Sequence, residues 1–440
     1  MSSYDDRYIT ALVEPDRVHR SVYTDPALFA LEMERLWGQA WIYVGHDSQV
    51  PAPGDYYASA IGPQSVIMSR HRDGNVHVLF NRCAHKGAQL VGDSRGHVKA
   101  FRCCYHGWVF DTDGTVLTIP RDEGYEGTGL CKGNPLANVQ RVPRTECYRG
   151  FVFASLAADG PDLRTWLGGA KASIDNLCDR SPEGEVEIAS GPLRYLHDCN
   201  WKMFVENLND AMHPMVVHAS SSGTARQIAR QAFKDVAPDD LPFEVQMLGP
   251  FTSDYKFFDQ MGVTACAYGH SYMGGTLGME SSYSSVGPYE QGLIDAYGET
   301  RAREILATVR HNTVVYPSFT LKCAIQAIRV VRPLAVDRTV IESWVLRLKG
   351  APEEITRRSI TYCNLINSSA NLVGPDDYEA YHRLQLGLQT DGNDWVSMHR
   401  YLGRESTTDD GDLRAIGTSD LSFRNQYRAW MHYMTGAAAP

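Results

Sequence analysis

The chain has 440 residues, of which 43% are hydrophobic and 21% are charged, and its formal net charge is −10. This length exceeds what one hydrophobic core usually serves, so we expect two domains, and the negative charge without any Lys/Arg run argues against a nucleic-acid partner. The first residues lack the basic and apolar regions of a signal peptide, and no segment approaches the roughly 18 apolar residues of a membrane span, so we expect a cytoplasmic protein without a membrane partner.

The first predicted element is an N-terminal helix. Asp25 is a favourable N-cap, Pro26 is favourable in the first turn, and apolar residues recur at helical spacing from Leu28 to Trp37. We therefore predict a helical segment within residues 1–42 that packs on the larger, C-terminal domain.

Residues 43–157 have the pattern of a small antiparallel β domain. Short β-branched or aromatic runs, such as those at 65–68 and 151–153, are separated by turns that contain glycine. The segment 157–161, Ala-Ala-Asp-Gly-Pro, interrupts this pattern, and we place a domain boundary after residue 157.

Residues 158–440 mix helical and strand patterns. We predict a helix from about Trp201, strands that include 313–316 and 327–331, and helices near 353–372 and 420–434. The mixture indicates an α+β domain with an antiparallel sheet.

Two short motifs in the β domain each combine one cysteine with one histidine, Cys83 with His85 and Cys103 with His106. Cysteines of a cytoplasmic protein stay reduced, so regularly spaced ones are first considered as metal ligands. Structural zinc sites usually pair like ligands, whereas a Rieske [2Fe-2S] cluster takes two cysteines on one iron and two histidines on the other. The motifs predict a Rieske cluster, with a zinc site or unrelated core residues as the alternatives.

The segment Cys103-Cys104-Tyr105-His106-Gly107-Trp108 resembles the second cluster loop of the Rieske family. Gly87 and Gly107 follow the two histidines and allow sharp turns that aim backbone amides at the cluster sulfurs. Rieske proteins of respiratory chains carry an additional disulfide, and its two positions are Ala88 and Tyr105 here. The match is therefore to the soluble oxygenase branch.

A second constellation, Asp210, His213 and His218, lies in the C-terminal domain. On a straight helix the two histidines would point about 140° apart, so a break is needed for them to share a metal. Pro214 is expected to supply it by disfavouring the α conformation at His213. Two histidines and one carboxylate form the facial triad of non-haem iron enzymes, but the residues alone do not choose the carboxylate. The alternative is two unrelated histidines, one on a helix surface and one in the core.

The resemblance to Rieske ring-hydroxylating oxygenases now covers both domains. Asn200-Trp201-Lys202, Glu206-Asn207 and the histidine segment match the family's second motif, with Met212 in place of the usual tyrosine. In the family the third iron ligand is an aspartate that follows a Gly-Pro-like stretch and opens a helix. That context gives Asp377 as the ligand, with Asp376 as the second choice and a plausible N-cap.

The resemblance implies a fold, an activity and residue roles. The fold is a small antiparallel β Rieske domain plus a larger helix-grip (START-like) catalytic domain. The protein would be the large subunit of a terminal oxygenase that passes electrons from the Rieske cluster to a mononuclear Fe(II) and hydroxylates an aromatic ring with O₂. Asn207 would lie near the open iron face, and Trp108 would pack over the cluster loop.

Asp210 has a separate implied role between the two metal sites. It precedes His213 by three residues and is expected on the same helical face, where its carboxylate can accept the ring N–H of that histidine. In the family this aspartate also reaches the cluster histidine of the adjacent subunit, which corresponds to His106. Electrons would thus pass from the cluster of one subunit to the iron of its neighbour.

The implied partners are a reductase, with or without a ferredoxin, a small β subunit, and further copies of the chain in a ring of three, α3 or α3β3. Three alternatives stay open from the sequence. The enzyme could be a Rieske monooxygenase or O-demethylase, the chain could be a non-catalytic Rieske electron carrier, or it could be a zinc-binding protein of helix-grip type.

The substrate is indicated by one spacing and one arginine. Only two residues separate Glu206-Asn207 from Asp210 in the sequence. Oxygenases that act on benzoate-, terephthalate- and salicylate-like acids have the same spacing, which favours an aromatic acid as the substrate. Such a substrate needs a charge-assisted partner, ideally a bidentate arginine. Arg329 resembles in position an arginine of the terephthalate-type enzymes, and the alternative for it is an outward-facing salt bridge.

Overall fold

In the computed structural model, which describes residues 4–283 and 286–436, the chain divides between Leu36 and Trp37 and again between Leu163 and Arg164. One unit is Trp37–Leu163, and the other combines Met1–Leu36 with Arg164–Pro440. The predicted bounds after residues 42 and 157 lie close to these divisions. That each part is an independently folding domain stays a prediction.

The N-terminal segment belongs to the larger unit. Its helix begins as predicted, because the Asp25 carboxylate accepts a hydrogen bond from the Ala27 amide and Pro26 occupies the first turn. Glu32 on this helix is fully buried and accepts hydrogen bonds from Lys202 Nζ at 2.6 Å and Trp430 Nε1 at 2.7 Å. The segment's elements are α1 Asp6–Thr10, β1 Val13–Glu14, β2 Arg17–His19, α2 Ser21–Thr24 and α3 Pro26–Arg35.

The smaller unit consists of antiparallel sheets. Their strand orders are β6-β5-β4-β7, β11-β12-β3 and β10-β9-β8, and the apolar core includes Phe101, Trp108 and Phe110. The strands are β3 Ile42–His46, β4 Asp55–Ile61, β5 Gln64–Arg70, β6 Val76–Phe80, β7 Arg95–His97, β8 Phe101–Arg102, β9 Val109–Phe110, β10 Val116–Thr118, β11 Arg144–Tyr148 and β12 Phe151–Ser155.

The larger unit contains a ten-stranded antiparallel sheet with helices around it and a small sheet in the order β1-β2-β21. The strand order of the ten-stranded sheet is β13-β20-β19-β18-β17-β16-β15-β23-β22, and β14 also pairs with β20. The elements are α4 Leu163–Leu167, α5 Lys171–Asp179, β13 Val186–Ile188, β14 Leu193–His197, α6 Trp201–Asn207, α7 Pro214–Val217, α8 Ser222–Ala232, α9 Phe243–Leu248, α10 Tyr255–Met261, β15 Val263–Ala265, β16 Ser271–Gly275, α11 Gly287–Tyr297, α12 Glu299–Ala307, β17 Val309–Val315, β18 Phe319–Lys322, β19 Ala327–Ala335, β20 Arg338–Leu348, α13 Glu353–Asn367, α14 Gly374–Leu388, β21 Trp395–Ser397, β22 Ser406–Thr407, β23 Leu413–Ala415 and α15 Leu421–Thr435.

The architecture confirms the predicted α+β fold, a small antiparallel β part and a larger part in which helices pack on an antiparallel sheet. The predicted helix from Trp201, the strands at 313–316 and 327–331, and the helices near 353–372 and 420–434 are all present within one to five residues of the expected ends. Within the described residues, no helix combines the length and the apolar character that crossing a bilayer requires.

One irregularity of the sheet positions functional side chains. Between β16 and β17, Ser271 pairs with Val314 and Met273 pairs with His311, so β17 carries one extra residue. Asn312 lies in this bulge with φ +35°, an uncommon conformation for a residue other than glycine. Because a bulge re-aims side chains, the neighbours His311 and Asn312 both line the same cavity instead of alternating between faces.

Candidate functional site

The two cysteine–histidine motifs form matching tight loops. The Cys83 amide donates to the Ala88 carbonyl, and the Cys103 amide donates to the Trp108 carbonyl, each over 2.8 Å. The glycine after each histidine has a left-handed φ, +79° at position 87 and +71° at position 107, which a residue with a Cβ rarely adopts. The predicted reason for these glycines, a sharp turn in each loop, agrees with this geometry.

Backbone amides of both loops point at the cysteine sulfurs. The amides of His85 and of the following residue hydrogen-bond to Cys83, and those of Tyr105 and His106 hydrogen-bond to Cys103. Burial raises the pKa of Cys83. At Cys103 burial acts in the same direction, but the amides and the Cys83 thiol outweigh it and lower the pKa. At Cys103 the arrangement therefore favours the thiolate, the form of cysteine that binds metal.

The four predicted cluster ligands converge. The Cys83 and Cys103 side chains hydrogen-bond to each other, and the ring centroids of His85 and His106 are 4.7 Å apart. Nδ1 of His85 is buried and has no hydrogen-bond partner among the described residues. Two sulfurs, two imidazoles and an unpaired ring nitrogen fit a Rieske [2Fe-2S] cluster.

The His85 ring is held by two aromatic residues. Trp108 stacks on it with centroids 5.1 Å apart and an interplanar angle of 7°, so Trp108 packs over the loop as predicted. Tyr125 Oη lies 3.1 Å from the other ring nitrogen, Nε2. Sequence reasoning missed Tyr125, because nothing in its local sequence marks a contact to a loop 40 residues earlier.

The histidines of the second motif meet by a different route from the one predicted. Helix α6 ends at Asn207, the following residues to His213 are not helical, and Pro214 opens the new helix α7. His213 itself has φ −67° and ψ −35°, so the expectation that Pro214 drives it out of the α region was wrong. Pro214 instead takes the favourable first-turn position of a helix, and the break lies upstream. The ring centroids of His213 and His218 are 5.5 Å apart.

Asp377 completes a three-residue cluster with these histidines. Its Oδ1 lies 3.6 Å from Nε2 of His213 and 3.5 Å from Nε2 of His218, and candidate ligand atoms of the three all lie within 4.8 Å of one another. Asn207 Nδ2 donates to the same Oδ1 over 3.3 Å. Two imidazoles and one carboxylate fit a mononuclear iron with open coordination positions.

Asp376, considered from the sequence as a second choice for the iron ligand or as an N-cap, lies behind the His218 ring instead. The N-cap of α14 is Val373, so the interpretation of Asp376 as an N-cap was wrong. Its Oδ2 lies 3.3 Å from Nδ1 of His218, the nitrogen that faces away from Asp377, and it also accepts a hydrogen bond from Ser221. Such a carboxylate fixes the tautomer and orientation of a metal-binding histidine.

Asp210 faces Nδ1 of His213, as Asp376 faces Nδ1 of His218. Its Oδ2 lies 3.7 Å from Nδ1 of His213, an ion-pair distance longer than a hydrogen bond. The two residues lie in the non-helical stretch, so the predicted shared helical face was wrong although the side chains do approach. Burial lowers the pKa of His213, but the carboxylates of Asp210 and Asp377 outweigh it and the pKa is raised.

A cavity extends from this cluster to the sheet, and Arg329 lies at its sheet end. The Arg329 Nη2 donates to Asn312 Oδ1 over 2.8 Å, and its guanidinium lies 5.2 Å from the centroid of Phe204. In the described part of the chain it forms no ion pair with a carboxylate. The outward salt bridge considered for Arg329 is therefore not what the structure has. Other lining residues are Leu208, Phe251, Phe258, Met261, Met273, Met279, Ile341, Tyr362, Ile366, Val373, Tyr378 and Tyr381.

Three buried polar side chains, Lys322, His311 and Glu280, lie together at the sheet end of the cavity, and the sequence analysis did not predict them. Lys322 Nζ lies 2.9 Å and 3.1 Å from the ring nitrogens of His311, and Glu280 Oε1 lies 2.8 Å from His311 Nδ1 and 3.7 Å from Nζ. All three are buried. The available signal was a lysine ending the otherwise uncharged strand β18, but its partners are distant in sequence.

Comparison with known proteins extends these observations to the whole chain. Residues 40–142 match the Rieske [2Fe-2S] domain, and residues 163–432 match the catalytic domain of the ring hydroxylating alpha subunit. The chain is 32% identical over 447 residues to toluate 1,2-dioxygenase subunit alpha of Pseudomonas putida, which covers 98% of this chain and 95% of that protein.

Other relatives are similar at comparable levels. Identity is 31% with the anthranilate 1,2-dioxygenase large subunit of Acinetobacter baylyi, covering 87% of this chain and 80% of that one. It is 30% with the 2-halobenzoate 1,2-dioxygenase large subunit of Burkholderia cepacia, covering 92% and 84%. In fold the chain is similar to naphthalene 1,2-dioxygenase with indole bound in the active site, with a TM-score of 0.79 and 22% identity over 96% of this chain and 93% of that one.

Proposed function

The chain belongs to the family of Rieske ring-hydroxylating oxygenase alpha subunits, and we propose that the ring it hydroxylates carries a carboxylate. Members of this family use a Rieske [2Fe-2S] cluster and a mononuclear non-haem iron, which supply the electrons and activate O₂ when bound. Toluate, anthranilate and 2-halobenzoate, which name three of the relatives, are all aromatic carboxylates.

The observation that carries the proposal is the Arg329 guanidinium. It lines the cavity, lies over the Phe204 ring, and forms no ion pair with a carboxylate among the described residues. Burial lowers its pKa, which means that the surroundings leave the charge poorly compensated. A substrate carboxylate would supply the missing charge in bidentate geometry. Asn312 would hold the guanidinium in position through its Oδ1.

The metal sites are assigned from the convergences described above. Cys83, His85, Cys103 and His106 would hold the cluster. His213, His218 and Asp377 would hold the iron. Asn207 would orient Asp377 through its hydrogen bond, and Asp210 and Asp376 would orient the two histidines through Nδ1.

We further propose the assembly in which this chain works. A reductase, directly or through a ferredoxin, would deliver electrons to the cluster. The chains would form a trimer, alone or with a small β subunit, so that the cluster of one subunit serves the iron of its neighbour. The exposed ring of His106 supports this arrangement, because it is available to a partner subunit.

The test uses the purified protein with a surrogate reductase. Substrate-dependent O₂ uptake is expected with benzoate and substituted benzoates, and little with toluene or benzyl alcohol. Arg329→Gln should raise KM for the acid by on the order of 10- to 100-fold, about 1–3 kcal/mol, because a charge-assisted pair is lost. Unchanged kinetics of this variant, or equal uptake with uncharged rings, would contradict the proposal.

The number of oxygen atoms transferred is read from products formed under labelled O₂. A cis-dihydrodiol carrying two labelled atoms is expected for the dioxygenase. A phenol or a demethylated product with one labelled atom would identify a monooxygenase or O-demethylase instead, and the absence of turnover with a reduced cluster would indicate an electron carrier.

A further inference from the structure

The cavity has a second buried cation beside Arg329. Lys322 ends β18 and Arg329 lies on the paired strand β19, where it is opposite Thr320. Lys322 is two residues from Thr320, so it lies on the same face as Arg329 and diagonally across from it, roughly 7–8 Å away at the backbone. Both side chains line the cavity that contains His213 and His218.

The Lys322 ammonium has more hydrogen-bond donors than acceptors around it. It carries three N–H groups, and among the described residues only the ring of His311 lies within hydrogen-bond distance. Glu280 Oε1 is at 3.7 Å, an ion-pair distance. Lys322 is 4% exposed and lines the cavity, so a molecule bound in the cavity can supply the missing acceptor. A buried donor without an acceptor is unfavourable, which points to an oxygen of a bound molecule.

The charges at this end of the cavity limit what that molecule carries. Burial, followed by Lys322, lowers the pKa of His311 to about 4, so His311 is neutral at pH 7. Although burial opposes it, His311 and Lys322 lower the pKa of Glu280 to about 2, so Glu280 is an anion. Glu280 therefore balances Lys322 when the ammonium is charged, and Arg329 is left without a carboxylate ion-pair partner among the described residues. One substrate carboxylate neutralises the group, and a second would be in excess.

We propose that Lys322 is a specificity-determining residue that recognises an uncharged oxygen substituent, a hydroxyl or alkoxyl group, on the ring carbon next to the one that bears the carboxylate. This inference rests on the proposed function, since the carboxylate on Arg329 orients the ring. Glu280 and His311 hold the ammonium toward the cavity. Because Lys322 and Arg329 are diagonal neighbours on one face of the sheet and both line the cavity, their long side chains can reach neighbouring substituents of one ring.

The test compares dissociation constants of the holoenzyme for benzoate, 2-hydroxybenzoate and benzene-1,2-dicarboxylate. The protein should bind 2-hydroxybenzoate tighter than benzoate by on the order of tenfold or more, the value of a hydrogen bond to a charged donor. The dicarboxylate should bind more weakly than 2-hydroxybenzoate. In Lys322→Met, the ratio of the benzoate and 2-hydroxybenzoate constants should fall to about one.

A matched variant guards against a folding defect. Lys322→Met alone leaves the buried Glu280 without its cation, which can destabilise the fold. The double variant Lys322→Met/Glu280→Gln removes both charges. Iron content and thermal unfolding show whether the double variant is folded and loaded. The same loss of preference is expected. Any of three results would overturn this inference and leave the proposed function standing. They are equal affinities of the unmodified protein for benzoate and 2-hydroxybenzoate, tightest binding of the dicarboxylate, and an undiminished ratio in the double variant. If neither acid binds and Arg329→Gln changes nothing, the proposed function fails and this inference with it.

Discussion

Asp376 and Asp377 are adjacent in the chain, yet they serve different atoms of the same site. Asp377 faces Nε2 of both histidines, whereas Asp376 faces Nδ1 of His218. Both lie in the first turn of α14, where the helix dipole favours negative charge. One residue step along a helix turns a side chain by about 100°, so one carboxylate points at the Nε2 atoms of the two histidines and the other at Nδ1 of His218.

This difference predicts distinct effects of two substitutions. Asp377→Ala should abolish mononuclear iron binding and turnover while the visible absorption of the cluster is retained. Asp376→Asn should keep the iron but weaken its binding by on the order of 10- to 100-fold, because it removes only the partner of a ligand. Iron content and metal-dependent activity of the two purified variants measure this. Equal iron loss in both would contradict the assignment.

Lys322 also makes binding of the acid depend on pH. Burial lowers the pKa of Lys322 to about 7, and Glu280 only partly offsets it. An acceptor oxygen of a bound acid favours the charged ammonium, so binding raises this pKa and takes up a proton. Affinity for 2-hydroxybenzoate should therefore be greatest below pH 7 and fall as pH rises through the pKa of the free protein. Titrations between pH 6 and 9 test this, and Lys322→Met should show a flatter profile.

Glu206 connects helices that are far apart in the chain. Tyr23 on α2 and Tyr427 on α15 both donate to Glu206 Oε1 on α6, over 2.8 Å and 2.6 Å. Burial raises the pKa of Glu206 to about 7, although both tyrosines act against it. The three side chains hold α6 in place immediately before the chain enters the iron site.

Removing one of these donors should lower stability. Tyr427→Phe is expected to reduce the free energy of unfolding by about 1–3 kcal/mol, because a buried carboxyl loses a hydrogen bond. Tyr255→Phe, at a position that is 38% exposed, is the control and should stay within about 0.5 kcal/mol. Denaturant unfolding followed by fluorescence measures both. Similar midpoints for the two variants would show that the Glu206 contacts contribute little.

The elements differ in how far the sequence predicts them. Helix α3 was predictable because its signals, Asp25 and Pro26, are local. The break before His213 was predicted at the wrong residue, because distant contacts fix it. Asn312, on the sheet, donates to the carbonyl of Leu208 over 2.7 Å, so this carbonyl is bonded to the sheet instead of to a further turn of α6. Local propensities carry no information about such a contact.

The same distinction applies to the site. The convergence of the side chains at 83, 85, 103 and 106, and of those at 213 and 218, was predictable because motif spacing reflects the metal chemistry. Asp377 needed the family resemblance, since the residues alone offered several carboxylates. Lys322, His311 and Glu280 could not be predicted, because strand pairing and the bulge at Asn312 bring them together.

At the scale of the whole molecule, the proposed trimer makes electron transfer depend on surfaces that a single chain leaves exposed. His106 is exposed, and its neighbour Tyr105 is 66% exposed although it is a large aromatic residue. The cysteines of the same cluster are buried. The loop therefore presents His106 outward, as the proposed transfer route to a partner subunit requires.

Asp210 is the residue that would complete this route, and its removal tests the assembly. Its Oδ2 approaches Nδ1 of His213, while Oδ1 accepts a hydrogen bond from the Met212 amide, and the side chain is 23% exposed. It can thus bridge His213 to His106 of the partner subunit without binding metal. Asp210→Ala should leave both metal sites largely occupied and the trimer assembled, yet reduce turnover sharply because the electron path is interrupted.

A single-turnover experiment separates this role from local capping. If Asp210 only caps the Met212 amide, Asp210→Ala should cost about 1 kcal/mol of stability and retain activity. If it forms the bridge, the prereduced variant should keep its red-brown cluster and reoxidise very slowly with substrate and O₂ present, because the cluster is intact but its electron has no route to the iron. Size-exclusion chromatography and iron analysis confirm that the variant is assembled and loaded. Fast reoxidation with a normal product yield would refute the bridge.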